Sequence, residues 1–417
     1  MKKKFLYFQP CYVDKFKCDG SKCDARCCKG WAVSIDEKTR KQYSRIKPKA
    51  AADEILSHIT FNDQRKEYLV TMRGDNKFCP FLTEDNLCRL QRTYGEKFLS
   101  VTCSSFPRRT LNFGNFFERS LVLTCPVAAQ MILFNEKPME FEFVEVPEKV
   151  HSNGGKIEIA PVYTGKGFAE HMLEIQIAMI SILQERTLTI DQRLIVLGFF
   201  LDRLDELFAT KKVTLEQLAE ILDALKKLIA AYESKDFLSE QVPLMLASVT
   251  FDAKKFVGLM LELLESLYGG VNLGDDRTLL DSLVTTLEVV PDAQGQVSSA
   301  DIVAKYKRLA DKRKDFLSRR STVLENYLVN ELFLNCYPWR HEESVAKNFG
   351  VFVASYKLFE LLIFAAEQQG FADDKDLIKF THWFLSSADH NEVFVKKILE
   401  LAPDDILSAI ETLLEPR

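Results

Sequence analysis

Nine of the chain's ten cysteines fall within its first 125 residues, and they come in groups. The densest reads Cys18-Asp-Gly-Ser-Lys-Cys23-Asp-Ala-Arg-Cys27-Cys28, and Cys79, Cys88, Cys103 and Cys125 follow. Thiolate is a soft donor suited to zinc or to the irons of an iron–sulfur cluster, and such confinement points to a metal or cluster built into one module. Cys23 and Cys27 are four apart, so one helical turn sets them on one face. Cys18 can fold back through Asp19-Gly20-Ser21. The adjacent Cys27 and Cys28 are expected to point apart, one of them serving a second centre or packing as a buried thiol. Lys22, Arg26 and Lys29 offset part of the thiolate charge. Cys11 lies outside the tight spacing, and Cys336 continues the apolar face of Leu324, Leu328 and Leu332. Both are expected to be structural.

The spacing Cys-x4-Cys-x3-Cys-Cys is neither zinc-ribbon nor ferredoxin spacing, and it differs from that of radical S-adenosylmethionine enzymes, so zinc and iron both stay open. A disulfide framework is disfavoured by compartment. The run Phe5–Phe8 is broken by Gln9 and Pro10, too short for a secretory signal. No stretch of about 18 uninterrupted apolar residues occurs, so no membrane span is expected. These features predict a cytoplasmic protein, whose thiols stay reduced.

The elements that must position these groups differ between the two halves. The 417 residues allow two or three domains. Residues 1–125 carry 24 Lys and Arg against 14 Asp and Glu, whereas the remainder carries 31 against 46. A basic cysteine module is thus joined to an acidic body, most of whose charge belongs on solvated helix surface. Short irregular pieces are expected around the cysteines, with two regular exceptions. Asp36–His58 has helical spacing interrupted by Pro48, and Thr110–Thr124 reads as a hairpin turning at Gly114-Asn115. Breaks at Pro138, Pro147, Asn153-Gly154-Gly155 and Pro161 place a boundary near residue 160.

Beyond that boundary the pattern is helical. Thr189–Gln192 and Thr214–Gln217 both fit the capping box. Leu194, Leu197, Leu201, Leu204 and Phe208 recur at helical spacing, as do Leu215, Leu218, Ile221, Leu222, Leu225 and Leu228. Further helices are expected over 256–268 and near 300–318, 322–336, 343–369, 373–386, 391–401 and 403–414. The fold class is therefore mainly α: a cysteine-rich metal or cluster module over 1–160 with short strands and helices, then a multi-helix domain over 161–417.

The residues around the cysteines carry a resemblance. Cys-Cys-Lys-Gly-Trp at 27–31, Cys79-Pro-Phe-Leu, Cys88-Arg, Thr-Cys-Ser-Ser-Phe-Pro-Arg at 102–108, Leu-Thr-Cys-Pro at 123–126 and Glu-Asn-Tyr-Leu-Val-Asn at 325–330 resemble the flagellin lysine-N-methylase family. The cysteine blocks alone resemble the broader bacterial zinc- or iron-chelating domain. The family resemblance implies transfer of methyl groups from S-adenosylmethionine to surface lysines of flagellin, with a 4Fe-4S cluster. Cys18, Cys23, Cys27, Cys28, Cys79, Cys88, Cys103 and Cys125 match the motif. Eight exceed the four ligands of one cubane, so either there are two centres or some are structural; Cys23, Cys27, Cys28 and Cys103 stand slightly ahead.

No Gly-x-Gly-x-x-Gly follows a strand, so the methyl donor is expected to bind outside the common nucleotide-binding fold. An iron with an open coordination position that holds the donor's amino acid end is one such route. Amine methylation needs a neutral lysine held in line with the sulfonium, a task for an aromatic or carboxylate-lined slot. Asn326, Tyr327 and Asn330 are the candidate polar site of the second half; the competing reading packs Tyr327 in the core, with the asparagines bridging helices. Trp339, Trp383 and the six histidines show no ligand spacing. No nucleic-acid partner is expected. The competing classes are a non-catalytic protein in which zinc staples the basic module and a redox protein using the same cysteines.

Overall fold

The computed structural model describes residues 4–20, 23, 26–29, 33–74, 78–147, 157–159, 171–208, 215–269, 277–289, 298–341, 343–389 and 391–416. The contacts divide the chain into two units: Met1–Met131 with Glu140–Ala160, and Ile132–Met139 with Pro161–Arg417.

The first unit contains more sheet than its sequence suggests. β1 (Lys4–Pro10), β5 (Arg108–Asn112), β6 (Phe117–Leu121), β7 (Phe141–Pro147) and β8 (Ile157–Ile159) form one five-stranded sheet in the order β7-β1-β6-β5-β8. β1, the apolar run before Gln9, is therefore not an irregular piece. It pairs antiparallel with β7, Lys4 opposite Pro147 through Pro10 opposite Phe141, and parallel with β6. The stretch after residue 125 is likewise no mere connection, since it supplies β7 and β8. The hairpin is present, with Asn112 paired to Phe117. Gly114 takes φ +90°, a turn conformation that suits glycine, and Asn112 Oδ1 accepts from its N–H at 2.7 Å.

β2 (Ser34–Ile35), β3 (Ile59–Asn62) and β4 (Glu67–Val70) form a second sheet in the order β2-β4-β3. Pro48 interrupts helicity as expected, between helices Glu37–Tyr43 and Lys49–Ser57. A small core of Val33, Ile35, Tyr43, Ile46, Ile55, Val70, Phe81 and Leu90 fills this part, and Cys79 belongs to it.

The second unit is helical, and its centre is Val345–Gln368. Twenty residues of this helix are buried, so it reads as apolar all round, as a core helix should. By length and composition it is also able to cross a membrane, but 94% of its most apolar stretch is covered by protein. The helices Ile190–Phe208, Thr278–Thr286 and Ile406–Leu413 pack against it. Met172–Leu183, which the sequence reading did not single out, buries eight of its twelve residues and leaves Glu174, Ile177 and Ser181 exposed along one face.

The capping box at the start of Ile190–Phe208 forms reciprocally. Gln192 N–H donates to Thr189 Oγ1 at 3.4 Å, and Thr189 N–H to Gln192 Oε1 at 3.0 Å. Leu194, Leu197, Leu201 and Leu204 are buried as the spacing requires. The Thr214 box, Phe208, Leu215, Leu218 and Leu222 lie outside the residues whose side chains are described.

Two boundaries differ from expectation. Residues 300–336 break at Leu309, giving Ser299–Arg308 and Ala310–Leu334, and not near residue 320. The polar run Ser318–Thr322 is an outer helix face: Arg319 and Arg320 both reach Glu367, at 2.6 and 2.9 Å. Cys336 is buried but lies beyond the helix end, at φ +53°, in a turn where Tyr337 N–H donates to Leu332 O at 3.1 Å.

Gly198 allows a close helix approach, because a Cβ there would meet Ile410 Cδ1 and the Phe349 ring at 2.9 Å. Gly198→Val is expected to lower stability by about 1–3 kcal/mol through overpacking, read as a fall in the urea midpoint at unchanged slope.

Candidate functional site

In the first unit the fold gathers the thiols. A 3₁₀ turn at Arg26–Cys28 brings the Sγ atoms of Cys27 and Cys28 to 3.8 Å, so the adjacent pair does not point apart. Side-chain periodicity in regular helix or strand suggested otherwise; the tight turn overrides it. Cys79 N–H donates to Cys28 O at 2.9 Å and brings the second block against the first. The Cys28 thiol donates to Cys79, which lowers the Cys79 pKa to about 7 against the opposing effect of burial; the N–H groups of Phe81 and Leu82 and the charge of Arg73 add to this. Cys28 is correspondingly pushed up by its bonds to Cys27 and Cys79 and by burial.

Cys88 precedes helix Arg89–Tyr94, and burial with the nearby Cys79 and Cys27 raises its pKa. Cys103 is exposed on helix Val101–Ser105 and feels the charges of Cys88, Cys79 and Cys27. That helix is held in place by two caps. Ser100 Oγ accepts from Cys103 N–H at 3.2 Å, and Asp36 accepts from Val101 N–H at 3.0 Å. Cys125, at the start of helix Pro126–Leu133, is raised to about 11 by burial and also senses Cys23 and Cys27.

Seven of the eight motif cysteines thus act on one another electrostatically. Cys18 is exposed. Cys11 stands on the sheet, where burial, Glu142 and Glu140 raise its pKa. As placed, no three Cys, His, Asp or Glu side chains among the described residues converge on one metal position. The donors fit a thiophilic metal in kind and meet as pairs.

The second unit contains a different arrangement, built on helix Ala310–Leu334. Asn326 is fully buried, and its Nδ2 donates to Leu133 O at 3.2 Å and Asn135 O at 2.8 Å, so it bridges backbone. Asn330 is fully buried as well. Tyr327 stacks on Phe359 with ring centroids 4.3 Å apart. Of the three sequence candidates, Tyr327 lines a cavity.

That cavity has about 20 Å³ of water-accessible space and is walled by Tyr327, Tyr337, Phe352 and Tyr356. Glu331, six residues beyond Glu325, also lines it, and Asn335 Nδ2 donates to Glu331 Oε2 at 2.8 Å. Leu385, Ala388, Arg340 and Ser355 complete the lining, and the last two are the half-buried members, so the cavity reaches the surface beside them. Burial, with Glu360 and Asp191, raises the Tyr356 pKa far above its usual value, so its phenol keeps its proton. Sequence reasoning missed Glu331, Tyr337, Phe352 and Tyr356. Their only local signal was the pair of carboxylates, Glu325 and Glu331, inside a run of apolar residues.

Glu325 does a different job. It is buried and accepts from Arg186 Nη2 and Arg193 Nη1, both at 2.7 Å. Arg193 is itself buried and also donates to Leu183 O and Leu188 O.

A model of the FliB lysine N-methylase C-terminal domain matches residues 176–414, more than half of the chain. The chain belongs to this family. It is 24% identical over 401 residues to a lysine-N-methylase of Salmonella typhimurium, with 94% of each chain covered. A lysine-N-methylase of Salmonella choleraesuis aligns similarly, at 24% over 398 residues. A flagellar biosynthetic protein, FliU, of Salmonella muenchen is 39% identical over 135 residues, covering 31% of this chain and 79% of that protein. No solved structure matches. The helix Ala310–Leu334 and the cavity beside it lie within the matched domain.

Glu325→Ala is expected to cost about 3–5 kcal/mol, because Arg193 is left charged and buried. Denaturant titration checks this, and a drop of less than ~1 kcal/mol would show that water replaces the carboxylate.

Proposed function

We propose that the protein transfers methyl groups from S-adenosylmethionine to lysine side chains of flagellin in the cytoplasm, with a 4Fe-4S cluster held by its cysteine group. The observation that carries this reading is the alignment with a lysine-N-methylase along 94% of both chains. Flagellin as the target is supported by the flagellar name of the third relative. The acidic second half suits a lysine-bearing partner.

Four among Cys23, Cys27, Cys28, Cys79, Cys88, Cys103 and Cys125 would hold the cluster. When bound, such a cluster supplies an iron site able to order the donor or to exchange an electron. The chain's own part in methyl transfer is position and dryness. An amine attacks only through its unprotonated nitrogen, so the site must exclude water and hold the nitrogen in line with the sulfonium methyl. The N–C bond forms as the C–S bond breaks, and sulfur leaves as a neutral thioether.

A second reading has its own observation. Two thiolates on one tetrahedral zinc, at about 2.3 Å each, stand about 3.8 Å apart. That is the separation of Cys27 and Cys28. In this reading zinc staples the module, and the cluster is absent.

Anaerobically purified protein incubated with S-adenosylmethionine and unmethylated flagellin is expected to add methyl mass to flagellin lysines. No added mass, with the metal site loaded, overturns the methylase reading. The same preparation is expected to be brown, with broad absorption near ~400 nm and iron with acid-labile sulfide on analysis. Colourless protein carrying zinc alone favours the staple, because a d¹⁰ ion lacks this absorption.

A further inference from the structure

One face of the five-stranded sheet carries charge where packing residues are expected. Side chains alternate along a strand, so Tyr7 and Gln9 of β1, Phe117 and Arg119 of β6, and Arg108 and Thr110 of β5 share that face. Gln9 is 1% exposed and Arg119 7%. Arg119 Nε donates to Thr110 Oγ1 at 3.3 Å, and its guanidinium lies 4.2 Å from the centroid of Tyr7. Arg108, half-buried, stands 5.1 Å from the ring of Phe16. Rings that back two guanidiniums in this way leave N–H edges turned to a further acceptor.

Among the described residues no side chain supplies that acceptor. Neither amide atom of Gln9 nor Arg119 Nη2 has a hydrogen-bond partner there, and no carboxylate stands within ion-pairing distance of Arg108 or Arg119. Burial pushes the pKa of each guanidinium down, and Arg108 adds to this at Arg119. Holding a buried guanidinium and a buried amide in this state costs stability, as expected of a site that a ligand completes.

The charges around the pair select the ligand. Asp14, exposed in the turn after β1, acts on both arginines, and Glu96 acts on Arg108. Two cations and two carboxylates give no net attraction for a multiply charged phosphate. They match a zwitterion, whose carboxylate goes to the arginines and whose ammonium goes to Asp14. Gln9 brings a donor and an acceptor to the same place. Entry is beside Arg108 and Asp14, the more exposed members. Arg108 also ends the block Thr102–Arg108 that contains Cys103, and all these residues belong to the cysteine-bearing unit.

We infer that this face binds the amino acid end of the methyl donor, its α-carboxylate on Arg119, Arg108 and the Gln9 amide, its α-ammonium at Asp14. The inference rests on the S-adenosylmethionine reading and deepens it, by giving the donor a hold made of side chains and independent of iron.

The test uses full-length protein with its metal site loaded and follows donor binding by calorimetry. Arg119→Lys keeps the charge and loses the planar fork, and Arg108→Gln removes the outer charge. Gln9→Leu removes the amide. Thermal melting and metal content establish that each variant is intact, and three variants keep the test open if one is not. The arginine variants are expected to bind S-adenosylmethionine at least about tenfold more weakly, and Gln9→Leu about fivefold. Decarboxylated S-adenosylmethionine lacks only the carboxylate. It is expected to bind wild-type protein at least about tenfold more weakly than the donor does, and to lose less than about twofold more in the arginine variants. Gln9→Leu is expected to melt no lower than wild type, because an amide without a partner stabilises nothing. Equal affinity of wild-type protein for the two compounds overturns the inference. An equal loss of both in the arginine variants also overturns it. Methyl transfer with wild-type donor affinity in the intact variants removes this site and leaves the methylase reading standing. Arginine- and carboxylate-dependent binding by a protein that transfers no methyl group removes the methylase reading and leaves the site standing.

Discussion

Lys357 lies on the most deeply buried helix of the second unit, and its ammonium has no access to water. A lone charge there would cost several kilocalories, so the surrounding helices must deliver its partners. Asp191 meets it at 3.1 Å from Ile190–Phe208, and Glu360 at 2.7 Å from one turn along its own helix. The Asp191 carboxylate also accepts from Glu415 N–H at 3.0 Å, and the Glu415 side chain accepts from Tyr306 and Arg313. Four helices and the C-terminal segment are therefore tied through one set of charges. Burial pulls the Lys357 pKa down, but Asp191 and Glu360 outweigh it and hold it up. Hydrophobic packing places these helices side by side; the charges fix which residues face each other. The aromatic cavity borders this frame, since Tyr356 precedes Lys357.

The first unit meets a similar problem with sulfur. Its second sheet is short, and its core is a handful of aliphatic and aromatic side chains with Cys79 among them. Cys28 and Cys88 pack on the rim of that core. A small core gains much from any group that ties its loops together. The caps by Asp36 and Ser100 direct Cys103 towards the same group, so ordinary helix capping serves a ligand arrangement.

What the sequence revealed depended on the distance over which each signal acts. Local signals were legible: the capping box at Thr189, the turn at Gly114, the break at Pro48 and the leucine stripe of Ile190–Phe208. The helical half and the mainly α class followed from these. The five-stranded sheet was not legible, because β1 pairs with a strand more than 130 residues away and shows no alternation. Met172–Leu183 was missed for another reason: apolar residues fill most of its surface, the exposed Ile177 included, and blur the stripe. At the site, the cysteine blocks were visible through type and spacing. The aromatic cavity was not, because Tyr327, Tyr337, Phe352 and Tyr356 meet only after two helices and an intervening turn have packed. Asn326 and Asn330 stood out as polar residues in an apolar run, yet Asn326 serves the backbone of residues 133 and 135.

The central helix has one more property. With a mean hydropathy of 1.7 over its most apolar stretch, Val345–Gln368 resembles a bilayer-spanning segment whenever it is unfolded and uncovered. Lys357 and Glu360 interrupt it, and a charge at the middle of a bilayer costs about 2.5–3.5 kcal/mol on an insertion scale. The pair that the folded core must neutralise therefore biases the newly made chain against the translocation machinery. Replacing both by leucine would leave Asp191 buried without its cation and would at the same time make this stretch a better match for a bilayer-spanning segment.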